Sequence, residues 1–452
     1  MASIKVNTKI KRGAFKPVNG IDNGPVCFGS LIDSSEYYIR AAFPYCRLHD
    51  TNYPHPREVD IPAIFRNFDA DPDDPANYFF KSTDIYLNDI LATGAKIIYR
   101  LGVSIEHPRL KYYVDPPKDF EKWARICLNI ARHYNEGWAD GFHMNIEYWE
   151  VWNEPDQLTP DRSKDVMWSG TPGQYYELYA ATASEFKKYM PGVKIGGFAG
   201  CGMLSPERFD YFINFLKFIR ERGLPLDFYS WHCYTSKLND LRENARIARE
   251  NLDKFGFVKT LSILDEWNYL VNIPDLWGRI FGGVGSRIRK EVFTETSGII
   301  GASFTAAALI EMIDLPIDIA TFYEGQPVNI FATIFDRYGV PTKQYYAFDA
   351  FNRLKRYGER TALECDIPGV YALASASDKS VCIMAVNWDG VSDNYECEIG
   401  GLDQSAEYNY ELYLLDEYRD LEPTLTLKGK PAELPRRVYL HKNSVALLRI
   451  FK

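Results

Sequence analysis

A chain of 452 residues with 46% hydrophobic side chains has room for one large barrel-sized domain and a smaller one, each with its own core. Its net charge of −9 argues against nucleic acid or an anionic membrane as the main partner. Aromatic residues reach 15%, with 31 Tyr and 9 Trp, a supply that suits the C–H faces of sugars and a large core alike.

In chain order, strand-like and helix-like segments alternate. Residues 43–49 read as a first strand and 59–65 as a weaker second, followed by an acidic, proline-bearing excursion and a helix near 82–93. A third strand at 96–102 leads to an amphipathic helix at 119–136, and a fourth at 146–152 to a helix at 173–190. The fifth and sixth strands, 193–198 and 227–233, precede helices at 206–222 and about 238–255. A seventh strand at 261–265 with a helix at 298–313, then an eighth at 317–322 with a helix at 343–356, complete the set. Eight such units predict a (β/α)8 barrel. Beyond residue 360 the pattern becomes β-rich, at 369–375, 380–388, 394–399, 407–415 and 437–450, which predicts a β-sandwich. The expected domains are residues 1–25 as strands joining the sandwich, 26–358 as the barrel and 359–452 as the sandwich.

The eight cysteines are scattered without a CxxC pair and read as reduced thiols in apolar runs. No apolar leader segment is visible at the N-terminus, and the apolar stretch 298–310 is too short to span a bilayer. A cytoplasmic protein is the expectation, although removal of a native leader would leave the same pattern. Self-association is left open. No HExxH, paired Cys/His set or Asp-rich calcium loop occurs, so neither a metal nor another cofactor is expected. Gly200 and Gly202 follow a strand but lack the third glycine of a dinucleotide fingerprint. The glycine-rich segment 282–286 lacks a phosphate-binding Lys. Both read as loops.

Two glutamates carry the chemistry. Glu154 ends the run Ile-Glu-Tyr-Trp-Glu-Val-Trp-Asn-Glu at strand four, and Glu266 ends Leu-Ser-Ile-Leu-Asp-Glu at strand seven. Either one alone reads equally well as a turn acid. Together, at the carboxyl ends of facing barrel strands, they match the carboxyl pair that retaining glycoside hydrolysis needs. An ionised Glu266 is expected to raise the pKa of Glu154 by like-charge repulsion, keeping it protonated as an acid. Asn153 can donate to a sugar 2-hydroxyl.

Trp-Asn-Glu-Pro (152–155) and Asp-Glu-Trp-Asn (265–268) resemble the acid/base and nucleophile motifs of the clan of retaining (β/α)8 glycosidases. Within it the chain most resembles glycoside hydrolase family 39, of β-xylosidases and α-L-iduronidases. Supporting segments are Cys-Arg-Leu-His-Asp (46–50), Gly-Gly-Phe-Ala-Gly-Cys-Gly (196–202), Asp-Phe-Tyr-Ser-Trp-His-Cys-Tyr (227–234) and Gly-Val-Pro-Thr-Lys-Gln-Tyr-Tyr-Ala-Phe (339–348). The resemblance implies Glu154 as acid/base and Glu266 as nucleophile. It implies that Asn153, His49, His232 and Tyr234 contact the sugar or orient the nucleophile, and that Arg47 holds the nucleophile or the network beneath it. At strand eight the family often carries a Trp where this chain has Thr-Phe-Tyr-Glu (321–324). Tyr323 can replace that ring, and Glu324 reads either as a specificity contact or as a surface acid. Glu106 and His107 stand near the mouth as further candidate contacts. Trp267 faces either the cleft or the outer core, whereas Trp152 and Trp231 are expected to pack between barrel and helices. The implied activity is a retaining, β-xylosidase-like glycosidase acting on an oligosaccharide or glycoside. An α-L-arabinosidase, an endo-acting glycanase or a non-catalytic carbohydrate-binding barrel are the alternatives.

Overall fold

The computed structural model describes residues 3–452 except 28–31, 53–54, 107–109, 158–166, 275, 282–285 and 328–332. A long strand, β1 (Ser3–Gly13), precedes a three-residue strand, β2 (Gly20–Asp22). Helices and strands then alternate: α1 (Ser35–Ala41), β3 (Tyr45–Leu48), α2 (Ile61–Ile64), α3 (Lys81–Ala92), β4 (Lys96–Leu101), α4 (Phe120–Glu136) and β5 (Tyr148–Val151). The series continues with α5 (Pro172–Tyr189), β6 (Lys194–Gly200), α6 (Pro206–Arg222), β7 (Phe228–Thr235), α7 (Leu238–Lys254) and β8 (Leu261–Tyr269). Next come α8 (Leu276–Phe281), α9 (Ser286–Ser297), α10 (Ile299–Met312), β9 (Ile319–Phe322) and α11 (Lys343–Arg356). Strands β2 to β9 close in sequence order into a parallel eight-stranded barrel, β9 returning to pair with β2. This is the expected (β/α)8 barrel.

Helix starts follow local chemistry. Thr171 and Gln174 form a reciprocal capping box ahead of α5, and Ser205 accepts from the Arg208 backbone N–H at α6. Tyr45, Ile98, Tyr148, Phe228, Ile263 and Ile319, each at or near the start of its strand, pack together in a buried cluster. That cluster fills the amino-terminal end of the barrel and leaves the carboxyl end to polar side chains.

Two strand expectations are corrected, and the corrections cancel. Residues 59–65 form a turn and the short α2, because Pro62 has no N–H to give to a ladder. The barrel instead begins at β2, ahead of the boundary expected at residue 26. Its three residues sit among Asn and Gly that mask the strand signal. Gly20 is required there: a Cβ would lie 2.7 Å from the Ala320 carbonyl oxygen and 3.1 Å from that of Tyr45. One strand is lost and one gained before β4, so Glu154 still follows the fourth barrel strand. Glu266 lies within the seventh, since β8 runs four residues past the expected end.

The C-terminal strands are β10 (Glu359–Cys365), β11 (Val370–Ala376), β12 (Ser380–Asn387), β13 (Asn394–Gly400), β14 (Tyr408–Leu415), β15 (Asp420–Gly429), β16 (Arg437–Tyr439) and β17 (Ser444–Phe451). With β1 they make one nine-stranded sheet in the order β15-β14-β17-β12-β11-β10-β1-β13-β16. The sheet curls so that side chains from both ends share one core: Tyr410 and Leu412 of β14 join Ile4 and Val6 of β1 and Tyr395 of β13. β15 escaped the sequence reading because it is an exposed edge strand interrupted by Pro423. The expected strand 437–450 is two strands, broken where Asn443 adopts a positive φ of 56°.

The chain divides into two compact units. One holds β1, α8 to α11 and the C-terminal sheet, and the other holds the barrel from β2 to Trp267 with β9. The helices expected at 298–313 and 343–356 therefore group with the sheet rather than dividing from it at residue 358. Among the described residues no single helix is long and apolar enough to cross a membrane.

Candidate active site

Arg47, on β3, is the centre of a buried ionic cluster inside the barrel unit. Its Nε donates to Glu150 Oε2 at 2.8 Å and lies 3.0 Å from Asp265 Oδ2. Nη1 donates to Glu266 Oε1 at 2.9 Å and lies 3.5 Å from Asp22 Oδ2, while Nη2 donates to Asn153 Oδ1 at 2.7 Å. That last bond fixes the Asn153 amide so that its NH2 remains the donor for another partner. The four surrounding carboxylates come from β2, β5 and β8. Regular alternation would turn Asp265 and Glu266 to opposite faces, but β8 shifts register between Leu264 and Trp267, and both acids meet Arg47.

Glu266 is held at both oxygens: Oε1 by Arg47, and Oε2 by the Tyr234 hydroxyl, which donates at 2.7 Å. His49 Nε2 stands 3.7 Å from Glu266 Oε1 and 3.3 Å from Asp50 Oδ1. Tyr323 donates to Asp50 Oδ2 at 3.2 Å, and its ring meets that of Tyr234 edge-on.

Glu154 follows β5 in a backbone turn that places Trp152 and Glu154 at φ of 72° and 44°, the left-handed region that non-glycine residues rarely occupy. The Glu154 N–H donates to the Ala199 carbonyl, which anchors the turn on β6. Gln157 Nε2 donates to Glu154 Oε2 at 3.2 Å. His232 Nδ1 lies between the two acids, 2.8 Å from Glu154 Oε1 and 3.3 Å from Glu266 Oε2. Ligand atoms of Glu154, His232 and Glu266 all fall within 4.8 Å of one another. Such a triad is also close enough to share a cation, yet a carboxyl pair at this spacing matches the ~5–5.5 Å of two-carboxyl retaining chemistry.

Burial raises the pKa of Glu154, opposed by a hydrogen bond from Cys201 and by the charges of Arg208 and Arg47. The cause expected from sequence, repulsion from Glu266, is not what lifts it. Burial pushes His232 down to about 4 and His49 well below its usual range, so both imidazoles are neutral near pH 7. Asp50 and Asp156 are each pushed up to about 7 by burial.

Arg47, His49, Asn153, Glu154, His232, Tyr234, Glu266 and Tyr323 are thus brought into one network. Three other candidates have different places. Trp267 is 1% exposed with its ring edge-to-face on Phe322, so it belongs to the barrel wall. Glu324 is buried and accepts from Asn23 Nδ2 at 2.7 Å, which makes it neither a surface acid nor a free specificity group. Glu106 is buried too, its Oε2 accepting 2.8 Å bonds from the backbone of Tyr112 and Tyr113, so it braces its own loop. His107 and the glycine-rich segment 282–285 lie outside the described residues. Trp152 and Trp231 are buried as expected.

Sequence reasoning missed Asp22, Asp50, Glu150 and Asp265, and the group around Glu154 formed by Asp156, Gln157, Cys201 and Arg208. Glu150 had a usable signal, since a lone acid inside Tyr-Trp-Glu-Val must be paired if the strand is buried.

A profile of glycosyl hydrolases family 39 matches residues 48–256. A β-xylosidase of Caldicellulosiruptor saccharolyticus is 24% identical over 388 residues, covering 78% of this chain and 69% of that enzyme. A β-xylosidase of Geobacillus stearothermophilus is 30% identical over 189 residues, covering 39% of this chain and 35% of that enzyme. Among solved structures, a glucosidase from Croceicoccus marinus superposes with a TM-score of 0.80 at 24% identity, covering 100% of this chain and 99% of that one.

Proposed function

The chain belongs to glycoside hydrolase family 39, and from that premise we propose that this glycosidase cleaves β-xylosides by double displacement, with Glu266 as nucleophile and Glu154 as acid/base. The observation that carries the roles is the short Glu154–His232–Glu266 spacing, all within 4.8 Å. It leaves no room for the water that an inverting pair needs between carboxyls ~6.5–9.5 Å apart.

In the first step a Glu266 carboxylate oxygen bonds to the anomeric carbon as the glycosidic C–O bond breaks. Glu154 gives its proton to the departing oxygen. Arg47 and Tyr234, each on one oxygen of Glu266, hold the carboxylate in place. In the second step Glu154, now ionised, takes a proton from water. The water oxygen attacks the anomeric carbon, and Glu266 leaves as a carboxylate. The buried setting of Glu154 suits the first role, since desolvation favours its protonated form. A neutral His232 at hydrogen-bond distance from Glu154 Oε1 supports the acid without adding a cation that would deprotonate it. The Asn153 amide NH2 is available to a sugar 2-hydroxyl. The β-xyloside choice rests on the two β-xylosidase relatives.

The test is turnover of a panel of 4-nitrophenyl glycosides, including β-xyloside, β-glucoside and α-L-arabinoside, by wild type, Glu266→Ala and Glu154→Ala. Release from the β-xyloside, lost in Glu266→Ala and restored to Glu154→Ala by azide as a glycosyl azide, is the expected outcome. Turnover that survives Glu266→Ala would remove the nucleophile assignment, and preference for another glycoside would replace the substrate.

A further inference from the structure

The cluster beneath the nucleophile holds more acid than its single cation can balance. Asp22, Glu150, Asp265 and Glu266 all lie within 3.5 Å of the Arg47 guanidinium, and the first three are fully buried. Were all four ionised, one positive charge would face four negative ones away from water, a cost that buried acids escape by keeping protons. The hydrogen bonds point the same way. Neither oxygen of Asp265 has a hydrogen-bond donor if it is a carboxylate, whereas Glu150 and Asp22 also meet the hydroxyls of Ser230 and Thr321. Glu150 Oε2 and Asp265 Oδ2 crowd the same Arg47 Nε, at 2.8 and 3.0 Å, and two carboxyl groups so placed can bond to each other only if one carries a proton.

Chemistry selects the bearer. Glu150 takes the direct 2.8 Å bond from Arg47 Nε, and Arg47 is the leading cause holding its carboxyl below the usual range against burial. Burial raises both Asp265 and Asp22, but Asp22 Oδ2 accepts from Arg47 Nη1, whereas neither oxygen of Asp265 accepts a hydrogen bond. Tyr229 and a neutral His232 also face it, the latter with Nε2 3.6 Å from Asp265 Oδ1.

We propose that Asp265 is a positioning residue that works as a neutral carboxylic acid, donating a hydrogen bond to Glu150 and so leaving Arg47 to Glu150 and the nucleophile. The proposal rests on the assignment of Glu266 above. If Asp265 were ionised, it would compete with Glu150 for Arg47 Nε, and the guanidinium that holds Glu266 Oε1 through Nη1 would lose its fixed position.

The experiment compares Asp265→Ala with Asp265→Asn, whose amide NH2 can donate where the carboxyl O–H does. Asp265→Ala should lower kcat by about 100-fold with KM little changed, and Asp265→Asn should recover to within about tenfold of wild type. In infrared spectra at pH 7, a protonated-carboxyl C=O band of wild type should be missing from Asp265→Asn. Asn no better than Ala, or an unchanged band, overturns the proposal. If either variant fails to fold by near-UV circular dichroism, 13C-aspartate labelling in an Asp22→Asn background replaces it, read at pH 9, where Asp50 and Asp156, pushed up to about 7, are ionised: a protonated-carboxyl band that shifts with the label is expected, and its absence overturns the proposal. Glu266→Ala run alongside separates the two readings, since persistent turnover there would sink the nucleophile assignment while leaving the Asp265 band untouched.

Discussion

The Tyr234 hydroxyl donates a 2.7 Å hydrogen bond to Glu266 Oε2, on the opposite oxygen from the one that Arg47 holds. Glu266 is buried and Tyr234 half-buried, and desolvation together with the charge of Glu266 raises the Tyr234 pKa, so the phenol stays a donor across the working range. In the proposed reaction, a nucleophile gripped at both oxygens approaches the anomeric carbon along one line. The phenol bond would also weaken the attacking oxygen slightly and give Glu266 a stabilised form to return to when it leaves.

Tyr234→Phe removes that bond and little volume. A hydrogen bond to a charged group contributes about 1.5–3 kcal/mol, so kcat/KM should fall about 10- to 100-fold. Steady-state kinetics on the best aryl glycoside measures it. A loss below about twofold would show that Arg47 alone orients the carboxylate.

Arg208→Gln tests what sets the acid. Arg208 donates to the Cys201 carbonyl at 3.0 Å, and its charge lowers the pKa of Glu154 against burial. Removing the charge should raise that pKa. Because the proposed first step needs Glu154 protonated, the alkaline limb of kcat/KM should move to higher pH. A limb that stays put, or moves to lower pH, would mean that another group titrates there.

Glu58 sits outside the catalytic network as a buried carboxyl pushed up to about 8 from an ordinary 4.5. Between those values the folded state holds a proton that the unfolded chain releases. Its contribution is fully present below pH 4.5 and is lost as pH rises towards 8. Glu58→Gln has no such proton to lose. Its melting temperature should match wild type near pH 4.5, pull ahead as pH rises, and hold a constant lead above pH 8. Parallel curves from pH 4.5 to 8.5 would contradict the burial of an unpaired acid.

Period and punctuation made much of the architecture legible. The apolar strands, the capped helices and the paired glutamates are all local patterns. What stayed hidden depends on neighbours distant in sequence. β2 is three residues long and is a strand because Ile21 and Asp22 pair with Cys46 and Arg47. Asp265 was passed over because strand alternation assigns it the face opposite to Glu266, and only the shifted register of β8 revokes that rule. Trp267 invited a sugar-stacking reading by standing beside the acid, yet Phe322 of the next strand already covers its ring. Glu324 read as either a specificity contact or a surface acid, and its bond from Asn23, 301 residues away in sequence, is not a local pattern.

The irregularity in β8 also bears on how this barrel can be redesigned. Two consecutive acids share one guanidinium only while the strand between Leu264 and Trp267 departs from a regular ladder. Deleting a residue there, or grafting in a straight strand from another barrel, would swing one carboxyl towards the helices and leave Arg47 with a different set of anions. The spacing of Glu154 and Glu266 is therefore a property of backbone geometry, and transplanting the two glutamates without that kink would copy the motif and lose the arrangement around Arg47.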